Sequence, residues 1–286
     1  MRVRRLLGQS GIRPAAALGQ NFLIEPAVLD RIVRASDLAA RDVVLEIGAG
    51  TGELTRRLAR RAGCVVAVEL DHRLLPLLRK GLSAYDNVRL VQGDILRLDP
   101  ARLVADATRG KDNLDRGYKV VANLPYYITS AILRHLLEAT LMPDVMVLTV
   151  QREVAQRLTA APGGMSILAV SVQLYAEPQV LFNIKPSSFY PSPDVESAVV
   201  RLVSRSSPLL APEEIDVFFR VVRAGFSQRR KQLHNALGAG LGPRVSKHQI
   251  AAKLEEVAID PRRRAQSLSV EEWINLTHAL SDTLDT

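Results

Sequence analysis

The chain of 286 residues contains little cysteine and few aromatic side chains. Its only cysteine, Cys64, excludes an intramolecular disulfide and is typical of a protein from a reducing compartment. Aromatic residues make up 5% of the chain, so the core that its 47% apolar residues can form must be mainly aliphatic. No stretch approaches the roughly 20 consecutive apolar residues of a membrane-spanning helix, which excludes an integral helical membrane protein.

Basic residues outnumber acidic ones. The chain has 38 lysines and arginines and 30 aspartates and glutamates, which gives a formal net charge of +8. A basic balance indicates a polyanionic partner, and both nucleic acid and an anionic membrane surface meet that description. Residues 1–20 are rich in arginine but lack the sustained apolar segment of a secretory signal. Because they also lack acids, a short organelle transit segment remains an alternative for them.

Short apolar runs alternate with segments of helical periodicity over the first half of the chain. The runs predict strands at residues 43–48, 65–70, 88–91, 119–122 and 145–150. Strands that alternate with helices form parallel βαβ units, so the pattern predicts an α/β protein with a Rossmann-like doubly wound sheet. Two later strand-like segments, 180–185 and 197–203, predict a terminal antiparallel pair that closes this sheet.

The periodicity becomes purely helical from Pro212 onward. We therefore predict two domains, a sheet domain over residues 1–205 and a small all-α C-terminal domain over residues 206–286. The stretch 97–117 is polar and contains several turn-forming residues, so we predict an extended surface loop there.

A glycine-rich turn, EIGAGTG at residues 46–52, follows the first predicted strand. Glycines at such a place allow a tight turn and let a ligand approach the backbone, with Gly48 and Gly50 at its centre. Glu69 ends the second predicted strand, 21 positions after Gly48. An acid at that place typically accepts hydrogen bonds from the hydroxyls of a ribose. The sequence therefore predicts a site for a nucleoside-containing cofactor.

The glycine spacing separates two kinds of cofactor. The dinucleotide fingerprint is G-x-G-x-x-G, whereas this chain has G-x-G-x-G with an acid, Glu46, before it. The pattern resembles the first motif of class I S-adenosylmethionine-dependent methyltransferases. Asp94, which follows the third strand, resembles the adenine-contacting acid of the same proteins. We therefore favour S-adenosylmethionine over a dinucleotide, and we predict no metal site.

The sequence NLPYYIT, residues 123–129, follows the fourth strand, where a doubly wound sheet places its ligands. An exocyclic amine on a nucleobase is a poor nucleophile, and two acceptors aimed at its hydrogens would help it to react. The Asn123 side-chain oxygen and the Leu124 backbone carbonyl are suited to that task, while Pro125 fixes the direction of the chain. Tyr126 has the flat face on which a base could stack.

Three segments together resemble the ribosomal RNA adenine N6-dimethyltransferase family. They are GQNFL at 19–23, NLPYYITS at 123–130 and FYPSPDVESAVV at 189–200, and the resemblance extends from about residue 18 to 270. It implies a class I methyltransferase fold and S-adenosylmethionine as the methyl donor. It also implies dimethylation of two adjacent adenines in a hairpin near the 3′ end of small-subunit ribosomal RNA.

The resemblance also implies roles for individual residues. It places six residues against the cofactor, namely Asn21, Leu23, Gly48, Glu69, Asp94 and Asn123. It implies that Tyr126 and Phe189 sandwich the target base. The basic stretch Arg229, Arg230 and Lys231 is similar to one in the family's helical domain, where it would contact RNA phosphates or form an ordinary solvated helix face.

Two alternatives to this assignment remain. The macrolide-resistance branch of the family modifies large-subunit RNA and tends to carry isoleucine in place of Leu124. A non-catalytic ribosome-assembly or transcription factor could keep the same fold, although the intact glycine turn, Glu69, Asp94 and Asn123 argue against lost chemistry. We expect a cytoplasmic monomer that acts on the small ribosomal subunit during its biogenesis and does not bind membranes.

Overall fold

The computed structural model describes residues 2–110, 115, 117–242 and 245–284. The chain forms two compact units. The first contains the residues up to 155 together with 177–204, and the second contains 156–176 together with the residues from 205 onward. Within the described residues, no helix is long and apolar enough to cross a membrane.

The first unit is built around a sheet of seven strands, beside which two short strands form a separate pair. In the described part of the chain the strands are β1 (Phe22–Leu23), β2 (Val43–Ile47), β3 (Cys64–Glu69), β4 (Val88–Gln92), β5 (Lys119–Asn123), β6 (Val145–Gln151), β7 (Ala176–Ile184), β8 (Phe189–Tyr190) and β9 (Ser197–Ser204).

The strand order in the large sheet is β4-β3-β2-β5-β6-β9-β7. Strands β4, β3, β2, β5 and β6 run parallel to their neighbours, and β9 pairs antiparallel with β6. The prediction of an α/β class I methyltransferase sheet is therefore confirmed, including the reversal of direction at its end. The order changes direction between β2 and β5, so the carboxyl ends of these two strands flank the crevice in which such sheets bind ligands.

Helices cover the sheet and build the second unit. The first seven are α1 (Arg2–Gln9), α2 (Pro26–Ala35), α3 (Glu53–Ala59), α4 (Leu75–Leu82), α5 (Pro100–Thr108), α6 (Thr129–Leu137) and α7 (Arg152–Leu158). Five more follow as α8 (Ile167–Tyr175), α9 (Ile215–Phe226), α10 (Leu233–Gly240), α11 (Lys247–Glu256) and α12 (Val270–Leu284).

The central strands are apolar on both faces because helices cover both sides of the sheet. Every residue of β2 and β3 is buried, and Val43, Val44 and Leu45 have no exposed surface. This continuous burial explains why their sequences, apart from Glu46 and Glu69, are apolar and do not alternate with polar residues. It also holds the turn after β2 on a rigid base.

The prediction of an extended loop over residues 97–117 is wrong for the part of this stretch that the structure describes. Residues 100–108 form α5, whose Val104 and Ala107 are buried. The helix begins with a side-chain cap, since Asp99 accepts a hydrogen bond from the backbone N–H of Ala101 at 2.9 Å. Pro100 occupies its first position, where a missing N–H does no harm. Residues 111–114 and 116 lie outside the described part.

The N-terminal residues form an amphipathic helix, which the sequence analysis did not predict. Helix α1 buries Val3 and Leu7 in a cluster with side chains from α4, among them Leu75 and Leu78. Its arginines Arg4 and Arg5 remain exposed on the outer side. A folded amphipathic helix accounts for the arginine-rich, acid-poor composition that also resembles a transit segment.

The second unit has its own core, centred on Trp273, whose side chain is fully buried. Gly225 makes room for this indole, because a Cβ there would lie 2.4 Å from the Trp273 ring. The helical periodicity predicted from Pro212 onward is confirmed by α9–α12. The unit also includes α8, where Ala169 and Val170 are buried, although the sequence analysis assigned residues 156–176 to the sheet domain.

Candidate active site

The turn after β2 depends on glycine for its backbone conformation. Gly48 and Gly50 have φ angles of +74° and +60°, which L side chains rarely adopt. A Cβ on Gly50 would lie 3.1 Å from the ring of Phe22, so a side chain there would require this ring to shift. The turn therefore presents bare backbone to the crevice between β2 and β5.

The carboxylate of Glu69 is held against this turn. Its Oε2 accepts a hydrogen bond from the backbone N–H of Gly50 at 2.6 Å, and its Oε1 accepts one from Asp71 at 2.8 Å. Burial raises the pKa of Glu69, and these two backbone donors oppose the shift. Each oxygen keeps a second lone pair, so the predicted ribose contact needs no rearrangement of the existing bonds.

Asp94 lies next to Glu69 at the end of the neighbouring strand. The backbone N–H of Gly93 donates to the carbonyl of Glu69 at 3.0 Å, which holds the two segments together. The Asp94 Oδ1 caps a short 3₁₀ helix by accepting from the N–H of Leu96 at 3.0 Å. The two acids are thus adjacent, as a ligand with both a ribose and a base would require.

The amide of Asn123, at the end of β5, has a fixed orientation. Its Nδ2 donates to the backbone carbonyl of Asn21 at 2.9 Å. Because a carbonyl can only accept, the amide oxygen must point the other way. That oxygen, Oδ1, is buried and has no hydrogen-bond partner among the described residues. A buried acceptor without a donor is costly, so its presence indicates a site for a ligand donor.

The residues after Asn123 are held firmly. The N–H of Leu124 donates to the carbonyl of Thr149 at 3.1 Å, and Pro125 adopts φ −61° and ψ 128°. The hydroxyl of Tyr126 is 2.6 Å from the Ser197 Oγ, and burial raises its pKa. These contacts fix both the Leu124 peptide and the Tyr126 ring.

All of these groups surround one pocket. Its empty space, including solvent at the mouth, is about 780 Å³. Nine predicted site residues line it, namely Asn21, Gly48, Gly50, Glu69, Asp94, Asn123, Leu124, Pro125 and Tyr126. The pocket therefore brings together the residues predicted to contact the methyl donor and those predicted to contact the target base.

Comparison with known proteins identifies the family. The sequence model of the ribosomal RNA adenine dimethylase family matches residues 13–282. The chain belongs to this family. Its members methylate ribosomal RNA and use S-adenosylmethionine as methyl donor.

Individual relatives cover nearly the whole chain. It is 45% identical to ribosomal RNA small subunit methyltransferase A of Moorella thermoacetica, over 98% of this chain and 96% of that protein. The protein of the same name from Pelotomaculum thermopropionicum is 46% identical, with the same two coverages.

Solved structures agree on the fold. A dimethyladenosine transferase from Plasmodium falciparum superposes with a TM-score of 0.77 at 26% identity, covering 92% of this chain and 98% of that one. The 23S rRNA methyltransferase ErmE superposes with a TM-score of 0.71 at 28% identity, covering 91% and 100%.

The pocket suits the family's methyl donor. Bare glycine backbone at residues 48–50 leaves room for a ligand chain, and Glu69 and Asp94 offer acceptors for a nucleoside. The apolar side chains of Ile47 and Ile95 line the same space, as a flat base requires. Gly48, Glu69 and Asp94 would therefore hold the donor, and its own chemistry would supply a methyl group on a sulfonium.

Two predicted site residues do not reach the pocket. Phe189 is 1% exposed and Leu23 is 5% exposed, and both belong to a core cluster with Leu29 and Ile32. They face each other in the antiparallel pair of β8 with β1. The expected sandwich of the target base between Tyr126 and Phe189 is therefore not formed in this structure, because the Phe189 ring is packed in the core.

The basic residues Arg229, Arg230 and Lys231 lie in the second unit. The solvated helix face that was one of the two interpretations of this stretch is not observed. The three residues occupy the exposed turn between α9 and α10. Their position leaves all three side chains accessible. A second basic run, residues 262–264, contains Arg263, which has a structural contact instead, because it forms an ion pair with Glu272.

Gln20 and Tyr127 are among the pocket-lining residues that were not predicted. Gln20 lies inside the GQNFL motif, directly before Asn21, so the motif itself could have pointed to it. Tyr127 is 59% exposed, whereas Tyr126 beside it is half-buried. Its ring packs against Gly19, where a Cβ would lie 3.0 Å from it. Adjacent tyrosines with different environments could not be distinguished from the sequence.

Proposed function

We propose that this protein transfers methyl groups from S-adenosylmethionine to N6 of two adjacent adenosines in a hairpin near the 3′ end of small-subunit ribosomal RNA. The observation that carries the proposal is the buried, unpartnered Oδ1 of Asn123 at the edge of the donor pocket. The names of the relatives at about 45% identity support the small subunit as the substrate.

The catalytic task of the protein is to make a weak nucleophile react. The lone pair of an exocyclic amine is delocalised into the base. Acceptors at the Asn123 Oδ1 and the Leu124 carbonyl would hold the two N–H groups and favour a pyramidal nitrogen whose lone pair faces the methyl group. This is transition-state electrostatics combined with positioning, and it requires no strong base.

Tyr126 would hold the target base by stacking. Its hydroxyl is fixed by Ser197, so the ring is preorganised before the base arrives. An adenine inside a duplex is out of reach, so the target must come from a loop or be flipped out of its stack. Phe189 is not part of this proposed contact, because its ring is buried in the core.

Dimethylation imposes a second requirement on the same groups. After the first transfer, and after the methylated nitrogen has released one proton to solvent, it carries one methyl group and one hydrogen. One acceptor, either Asn123 Oδ1 or the Leu124 carbonyl, must then hold the remaining N–H while the pocket accommodates the new methyl group. The pair of acceptors therefore serves two successive reactions with different numbers of hydrogens to hold.

The second unit would contribute RNA affinity. Arg229, Arg230 and Lys231 are exposed on one turn, and neutralised phosphates supply much of the affinity of any RNA-binding protein. The net charge of +8 favours the same partner. We infer that the immature small subunit binds both units of a protein monomer in the cytoplasm during subunit biogenesis.

The substrate is tested with isolated ribosomal subunits from cells that lack this protein. Each subunit is incubated with enzyme and S-adenosylmethionine labelled in its methyl group. We expect label in the small subunit alone, with two adjacent dimethyladenosines found by mass spectrometry. Label only in the large subunit would contradict the proposal and assign the protein to the activity named for ErmE.

A further inference from the structure

We propose that Gln20 is a positioning residue that couples the donor side of the pocket to its acceptor side. The inference rests on the function proposed above. Gln20 belongs to residues 15–21, which we call the strap; it contains a short 3₁₀ helix, Ala16–Leu18, and then lines the pocket. Both polar groups of the Gln20 amide have partners, and the next residue of the strap, Asn21, contacts Asn123.

The Gln20 side chain bridges the strap to the end of β3. Its Oε1 accepts a hydrogen bond from the backbone N–H of Ala15 at 2.8 Å. Its Nε2 donates to the Oδ2 of Asp71, also at 2.8 Å. One contact needs the amide oxygen and the other needs the amide nitrogen, so only one orientation of the amide satisfies both.

Asp71 is a rigid anchor for this bridge. Its side chain is buried and accepts from Arg73 twice, at 2.9 Å from Nε and 2.7 Å from Nη2. The Arg73 guanidinium lowers the pKa of Asp71 to about 2, and Gln20 adds to the shift, so the carboxylate stays ionised at neutral pH. The backbone N–H of Asp71 also donates to the Oε1 of Glu69. Gln20 is therefore one residue away from the acid expected to hold the donor's ribose.

The next residue of the strap contacts the acceptor side. The carbonyl of Asn21 accepts from the Nδ2 of Asn123 and thereby directs its Oδ1. Because Asn21 follows Gln20 directly, the anchor at Asp71 limits where that carbonyl can lie. A continuous chain of contacts thus runs from Glu69 through Asp71, Gln20 and Asn21 to Asn123.

This arrangement makes a specific kinetic prediction. A residue that only touches the donor would weaken donor binding and leave the rate at saturating donor unchanged. Loss of the Gln20 bridge should lower both the donor affinity and the rate at saturating donor, since the Asn123 amide would also lose its fixed orientation. The donor affinity and the transfer rate at saturation are therefore expected to fall together.

The bridge can be tested by exchanging its donor and acceptor. Gln20→Glu places a carboxylate oxygen against Asp71. Asp71→Asn replaces one acceptor oxygen by an amide N–H, which faces the Gln20 Nε2 in one orientation and the Arg73 Nε in the other. Each single change therefore sets like against like. The double variant combines them so that the Asn at 71 donates to the Glu at 20, while Ala15 keeps its acceptor. Its total charge equals that of the wild type.

Two measurements are made on each variant. Calorimetry with S-adenosylhomocysteine gives donor-site affinity, and single-turnover transfer to unmethylated small subunits at saturating S-adenosylmethionine gives the rate. We expect each single variant to lose about tenfold in both, as for one charge-assisted hydrogen bond. The double variant should exceed both single variants in both quantities, without full recovery, because it does not restore the Arg73 contacts to residue 71.

Matched controls are Gln179→Glu and Asp86→Asn, both at exposed positions of the first unit. They should leave both quantities unchanged. Gln20→Ala, which removes the bridge without creating a repulsion, should also lower both. The proposal is overturned if the single variants behave as the wild type, if only affinity changes, or if the double variant is as poor as the weaker single variant. Failure of the wild type to methylate small subunits would overturn the proposed function, while the calorimetric comparison would still test the bridge.

Discussion

At the scale of single residues, the site depends on side chains whose orientation is fixed before any ligand binds. The Asn21 carbonyl orients Asn123, Ser197 orients Tyr126, and the Gly50 N–H orients Glu69. Each contact uses one polar group and leaves another group or face directed at the pocket. Such preorganisation lowers the cost of reaching the transition state, because little has to reorganise during the reaction.

The stacking role of Tyr126 is tested by two substitutions. Tyr126→Ala removes the ring and should lower kcat/KM for RNA by about ten- to hundredfold, since stacking on a base contributes roughly 1–3 kcal/mol. Tyr126→Phe keeps the ring and loses only the contact to Ser197, so its effect should be much smaller. Equal losses in the two variants would show that the hydroxyl, not the ring face, matters.

Glu46, which lies in β2 just before the glycine turn, is expected to make the stability of the protein depend on pH. Burial raises its pKa from 4.5 to about 8. The unfolded chain therefore releases this proton near pH 4.5, whereas the folded chain keeps it up to about pH 8. In that window the folded state binds more protons, so rising pH favours unfolding.

Glu46→Gln removes this titration while keeping the shape of the side chain. From pH 5 to 8, the free energy of unfolding of the wild type should fall relative to the variant, by at most about 1.4 kcal/mol per pH unit. Urea unfolding at several pH values measures the difference. Because Glu69 is present in both proteins, its own titration largely cancels. A difference that stays constant across this range would show that Glu46 is ionised in the fold.

At the scale of elements, the turn between β2 and α3 links stability to ligand binding. Gly50→Ala would put a methyl group 3.1 Å from the Phe22 ring and force alanine into φ +60°. The backbone conformation alone costs about 1–2 kcal/mol. We expect lower stability in urea together with weaker binding of S-adenosylhomocysteine.

Gly8→Ala provides the control for this substitution. Gly8 lies inside α1 with nothing within 4 Å of an added Cβ, so alanine should raise stability by about 0.5–1 kcal/mol. If Gly50→Ala were as stable and bound the ligand as well as the wild type, the turn would not need its glycine.

Other elements show where sequence patterns fail. Helix α5 was not predicted because its exposed face is polar and only a few of its residues, such as Val104 and Ala107, are buried. Pro100 suggested a turn, yet Asp99 followed by proline is also a normal helix start. Helix α8 was missed because its nearly continuous apolar sequence has no periodic polar face to mark it as a helix.

At the scale of the whole molecule, the sheet could be predicted because each parallel strand is a local apolar run followed by a helix. The position of Asn123 followed from the same logic, since strand ends meet at one edge of the sheet. The burial of Phe189 could not be predicted, because it depends on pairing between β1 and β8, which are far apart in sequence. The Gln20 bridge likewise depends on a long-range contact with Asp71.

The central claim is that the Asn123 Oδ1 holds the target amine during transfer. Asn123→Ala should slow single-turnover methyl transfer to small subunits by about a hundredfold or more, as loss of one oriented transition-state contact does. Binding of small-subunit RNA should remain close to that of the wild type. The exposed Asn183→Ala in β7 serves as control and should have normal activity.

The single-turnover rate of Asn123→Ala, measured at saturating S-adenosylmethionine with small subunits in slight excess, is the most direct test. The account predicts near-complete loss of transfer with RNA binding retained. Transfer at the rate of the wild type would contradict it.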